Sequence, residues 1–115
     1  MSFKESFLSV KPRREAITLA GVGECFIAEM TGAERDDYES EQFKQNGKSV
    51  EINRKNARAR LIVKTVVDAD GNRIFTDSEV EAVGNRPASL LDPIFEKSLQ
   101  VNGFSKKDVD ELVKN

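Results

Sequence analysis

The sequence contains no histidine. That absence removes Ser-His-Asp and Cys-His nucleophile arrangements, His-ligated zinc sites and the commonest general base near neutral pH. A single cysteine, Cys25, cannot form an internal disulfide, so nothing points to a secreted, cross-linked scaffold and a reducing compartment is expected. No apolar run approaches the roughly 20 residues that span a bilayer. The opening Met1-Ser2-Phe3-Lys4-Glu5 does not read as a signal peptide. Charge of one sign is also missing: 18 basic residues stand against 20 acidic ones, net −2, so non-specific nucleic-acid binding is not the default. Gly21-Val22-Gly23 lacks the third glycine and the following helix of a dinucleotide-binding turn. Carboxylates abound, but none has an apolar sequence setting that would raise its pKa for acid–base work. These absences predict a protein that is not an enzyme and needs no cofactor.

What is present supports one small domain. Ile, Leu, Val and Phe make up 31 of the 115 residues, enough for a modest core. The expected fold class is α+β, mainly α, with an N-terminal β-hairpin followed by four to five helices. Residues 1–15 read as an arm carrying Phe3, Phe7, Leu8 and Val10, broken from the rest by Lys11-Pro12-Arg13-Arg14. Residues 16–115 read as a single domain, hairpin over 16–30 and helical over 31–115. In the hairpin, Ile17-Thr18-Leu19 and Glu24 to Met30 flank the turn Ala20-Gly21-Val22-Gly23. Alternation puts Phe26, Ala28 and Met30 on one face and Cys25 and Ile27 on the other. Two strands alone are marginal in water, so the hairpin must rest on helices or pair its edge with another chain. Cys25 reads as a small apolar residue, since no Lys or His lies near it in sequence to stabilise a thiolate.

Thr31-Gly32-Ala33-Glu34 is a capping box that opens an acidic helix bearing Glu34, Asp36, Asp37, Glu39 and Glu41, with a thin apolar face of Ala33, Tyr38 and Phe43. Gln45 to Ser49 reads as a mobile linker. From Ile52 to about Val67 the apolar spacing predicts a basic helix bearing Arg54, Lys55, Arg58, Arg60 and Lys64, with a strand from Leu61 as the alternative. These basic residues read either as a solvated face opposing the acidic helix or as phosphate contacts of a small nucleic-acid binder. Thr76-Asp77-Ser78-Glu79 is a second capping box, before a short helix ended by Gly84. Pro87 starts the strongest amphipathic helix, with Leu90, Leu91, Ile94, Phe95, Leu99 and Val101 as the centre of the core. Ser105-Lys106-Lys107-Asp108 caps a last helix bearing Val109, Leu112 and Val113.

One stretch invites a metal reading. Asp68, Asp70, Asn72 and Glu79 occupy positions 1, 3, 5 and 12 of a calcium-binding EF-hand loop over residues 68–79. The sixth position demands glycine and holds Arg73, and Asp70-Gly71-Asn72 reads equally as a turn ahead of the Thr76 cap. The expectation is no metal, with a calcium-binding module as the alternative.

Three stretches together resemble the tail assembly chaperones of long-tailed, non-contractile bacteriophages and prophages: the hairpin running into Thr31 to Tyr38, the segment Val67 to Asp77, and Pro87 to Phe95 with Asn102-Gly103-Phe104-Ser105. The resemblance covers residues 16–105. It implies a small, largely helical protein in the host bacterial cytoplasm, absent from the mature virion. Its partner would be the tape measure protein, kept soluble until the tail tube forms around it. It also implies a frameshifted longer form that recruits the tail tube protein, and neither nucleic acid nor membrane as a partner. A holdase of this kind needs exposed apolar surface and solubilising charge. The candidate partner-binding or self-association residues are Phe3, Phe7 and Leu8 of the arm, Cys25 and Ile27 of the hairpin, and Val109, Leu112 and Val113 of the last helix. Each could instead complete the domain's own core. Homo-oligomerisation through the hairpin or the arm is a further expectation.

Overall fold

The structure is a computed structural model and describes residues 2–104. In chain order the elements are α1 (Phe3–Leu8), β1 (Arg14–Leu19), β2 (Gly23–Ala28), α2 (Gly32–Glu41), β3 (Phe43–Asn46), β4 (Ser49–Ile52), α3 (Ala57–Thr65), β5 (Val66–Val67), a 3-10 turn at Asp77–Glu79, α4 (Val80–Gly84) and α5 (Ala88–Val101). β1 and β2 form the hairpin foreseen around Gly21, which takes φ +78 in its turn. Thr31 caps α2 as its spacing implies: its hydroxyl accepts from the Glu34 amide at 3.1 Å, and its own amide donates to Glu34 Oε1 at 2.8 Å.

The fold class differs from the expectation of a hairpin followed only by helices. About 46% of the described residues are helical and 22% are strand, arranged as five helices and two sheets with strands interspersed along the chain. Two local causes account for this. The first is the Asn46-Gly47-Lys48-Ser49 segment, which turns rather than links; Gly47 sits at φ +63, and β3 pairs antiparallel with β4 from Phe43↔Ile52 to Asn46↔Ser49. The second is Val66 and Val67. They leave α3 and pair with Ile27 and Phe26, giving a three-stranded sheet in the order β1-β2-β5. The predicted helix over 52–67 is therefore shorter. Ile52 ends a strand, Asn56 adopts the left-handed conformation (φ 55), and the helix proper runs over Ala57–Thr65.

The core sits between the three-stranded sheet and the α3/α5 pair. Ile27, Ala59, Ile62, Val63, Val66, Leu91 and Ile94 form its larger part, against which Ile17, Leu19 and Cys25 pack from the sheet. Tyr38, Leu61, Phe95 and Leu99 form a smaller part under α2. α5 is central to both, as its periodicity predicts; Pro93, in its second turn, leaves the Ser89 carbonyl without an in-helix donor. Between α3 and α5 the Thr65 and Ser98 hydroxyls meet at 2.9 Å in a fully buried position, and each is also bonded to the carbonyl four residues back. The sheet is tied to α5 by Glu15–Lys97 at 3.0 Å and by Asn102, whose Oδ1 accepts from the Met30 amide at 2.7 Å.

Candidate partner-binding surfaces

Among the described residues, the arm and the second hairpin carry most of the exposed large apolar side chains, with Val22 and Ile74 exposed elsewhere. Ser2 caps α1 by accepting from the Glu5 amide at 3.2 Å, and the spacing of Phe3 and Phe7 stacks their rings at 5.8 Å. No residue of α1 is buried: Phe3 is 83% exposed, Phe7 66% and Leu8 70%. Residue alternation in β3 and β4 puts Phe43, Gln45, Val50 and Ile52 on one face and Lys44, Asn46, Ser49 and Glu51 on the other. All eight positions are exposed, including Phe43, Val50 and Ile52. A further apolar depression of about 430 Å³ opens beside α4, with Ile62, Phe75, Val83, Leu90 and Leu91 in its wall.

Other sequence candidates lie elsewhere. Ile27 is fully buried and Cys25 half-buried against the larger core, so both complete the domain's own packing. Burial, with Glu24 adding to it, pushes the Cys25 thiol up, away from thiolate chemistry. Val109, Leu112 and Val113 fall outside the described residues.

The charged faces are not the two solvated stripes the sequence suggests. On α2, Glu34 serves the cap, Glu39 pairs with Arg35 at 2.9 Å, and Asp36 and Asp37 are exposed. Only Glu41 crosses to α3, where Lys64 holds it at 2.9 Å; Lys64 also reaches Asp77 at 3.3 Å. The Lys64 side chain is only 2% exposed, which makes this a half-buried ion network rather than a surface match. Arg60 is buried as well. Its guanidinium donates to the Asn53 carbonyl at 2.6 Å, to Gln42 Oε1 at 3.3 Å and to the Lys55 carbonyl. Burial lowers its pKa. The same desolvation pushes the neighbouring Tyr38 phenol up to about 12. Arg58 pairs with Asp92, and Lys55 approaches Glu81 at 3.9 Å on an exposed surface. Arg54 lies exposed between the second hairpin and α3.

Sequence reasoning placed Arg60 among the basic residues of a solvated helix face and missed its role as a buried clamp. Arg60 fastens the base of the β3–β4 hairpin to α3, and the Asn53 amide donates back to the Gln42 carbonyl at 2.6 Å. The sequence held no local signal for this, because the acceptors lie outside α3. A second missed contact is Arg35, whose guanidinium lies 4.1 Å from the Phe104 ring centroid while donating to the Asn102 carbonyl at 3.3 Å.

In the 68–79 loop, Asp68 Oδ1 accepts from the Asp70 and Asn72 amides at 2.9 and 3.0 Å, and Glu79 accepts from the Thr76 amide at 2.8 Å. Arg73 donates to the Val63 carbonyl at 2.8 Å and to Asp77 at 2.7 Å. These carboxylates act as turn and cap partners. Among the described residues no three His, Cys, Asp or Glu side chains come together as a metal-binding group.

The comparisons with known proteins bear on what such surfaces are for. A family model described as phage tail assembly chaperone matches residues 19–115. The chain belongs to that family. A solved structure, the bacteriophage HK97 tail assembly chaperone, shares its fold with a TM-score of 0.57 at 16% sequence identity, covering 87% of this chain and 98% of that one. Comparison with curated proteins by sequence finds no match. The family match begins at Leu19, so α1 and nearly all of β1 of this chaperone lie outside it.

Proposed function

We propose that this tail assembly chaperone binds the tape measure protein, keeps it soluble and helps the tail tube assemble around it. The observation that carries the reading is the family match over residues 19–115. The exposed apolar side chains of α1 and the β3–β4 hairpin support it, because a holdase grips apolar segments without making or breaking bonds. On this reading the protein is not an enzyme. It acts in the host bacterial cytoplasm and is absent from the mature virion. A frameshifted longer form recruits the tail tube protein, and copies associate through the arm.

Co-expression with the cognate tape measure protein tests the proposal. The expected result is that the partner moves from the pellet to the soluble fraction and co-purifies with the chaperone. A tape measure protein that precipitates equally with and without it refutes the reading.

A further inference from the structure

The net charge of −2 conceals a division along the chain. By sequence, residues 29–41 hold six acidic side chains and one arginine, whereas residues 43–60 hold six basic side chains and one acid, Glu51; in the fold Lys55 and Arg58 pair with Glu81 and Asp92, and Arg60 is buried. The β3–β4 hairpin stands at the start of the basic stretch. One of its faces carries Phe43, Val50 and Ile52; Lys44 stands on the opposite face and Lys48 in the turn, both exposed. Its one carboxylate, on Glu51, accepts from Asn46 Nδ2 at 2.8 Å. Long lysine stems let those ammonium groups reach around the edge of a two-stranded ribbon.

Resting on the functional reading above, we propose that this face is the seat for an acidic amphipathic helix of the protein the chaperone protects. The helix lays its apolar stripe on Phe43, Val50 and Ile52 and its flanking carboxylates against Lys44 and Lys48. A second copy is a poor occupant: two identical hairpins would bring lysine against lysine. Nucleic acid fits poorly as well, since Phe43 is the single ring on this face and Val50 and Ile52 offer no second platform for an adjacent base. The exposed Asp36 and Asp37 repel an acidic helix from α2.

Two helical peptides of about 18 residues with the same leucine stripe, one flanked by glutamate and the other by lysine, test this on the full chain by amide NMR titration. The glutamate peptide should shift amides concentrated in 43–52, bind at least about tenfold tighter than the lysine peptide, and weaken as salt rises. Val50→Asp should lower its affinity about tenfold or more while leaving the melting temperature unchanged, because the side chain is 62% exposed. Equal binding of both peptides, shifts centred outside 43–52, or tighter binding of a short single-stranded DNA to the same amides overturns the proposal. In the co-expression assay the two ideas separate. If wild type and Val50→Asp both keep the tape measure protein soluble, the hairpin assignment falls and the function stands. If wild type itself fails while the glutamate peptide binds, the functional reading falls and the docking surface stands.

Discussion

Replacing Arg60 with leucine isolates the contribution of the buried guanidinium that fastens the second hairpin. The side chain is 6% exposed and serves three acceptors: the Asn53 and Lys55 carbonyls and Gln42 Oε1. Each hydrogen bond from a charged donor is worth about 1.5–3 kcal/mol, but desolvating the cation opposes that gain, and leucine restores apolar packing. The balance is a loss of about 2–4 kcal/mol, dominated by carbonyls left without a donor. For a domain of this size that corresponds to a fall in melting temperature of roughly 10–20 °C. Urea denaturation gives the global loss. Hydrogen exchange gives its location, with faster exchange expected over 43–56 and little change in α5. Arg60→Lys should recover only part of the stability, because one ammonium cannot span all three acceptors. A loss below about 0.5 kcal/mol for the leucine variant, with exchange over 43–56 unchanged, refutes the clamp.

Leu99→Ala empties part of the smaller core, where Leu99 is 2% exposed, and should cost about 2–5 kcal/mol by urea denaturation. Thr65→Val leaves Ser98 short of a partner at the α3–α5 contact and should cost about 1–2 kcal/mol; the double variant with Ser98→Ala should cost less than the two single losses combined. The Arg73 hydrogen bond, aided by Lys64 and opposed by burial, holds the Asp77 carboxyl below the usual 3.8. Its contribution is therefore present above pH 3.8 and is lost as pH falls from there through the lower folded value; Asp77→Asn should flatten that part of a melting-temperature profile. Phe3→Ser with Phe7→Ser should leave the melting temperature within a few degrees of wild type, because no residue of α1 is buried. A drop of about ten degrees or more would show that the arm packs on the domain.

Local chemistry determined the features that depend on neighbours within about four residues. The Thr31 and Thr76 caps, the glycine turn of the first hairpin and the apolar stripe of α5 were all legible as letters. The Asn46-Gly47 turn was equally local, but assigning Phe43 to the end of α2 hid the strand that leads into it. So was the order of turn and capping motifs that resembles the tail assembly chaperones, now matched over residues 19–115. Only the tertiary structure decided the rest. Val66 and Val67 suit helix or strand about equally until β2 supplies a ladder for them. Arg60 and Lys64 read as solvated because their charge is visible in the sequence, whereas the carbonyls and carboxylates that admit them to the interior lie on α2, at the end of the second hairpin and in the turn before α4. Ile27 likewise looked available to a partner until α3 and α5 closed over it. Burial is a property of contacts between distant segments, and a linear sequence specifies those contacts only through the packing they finally make.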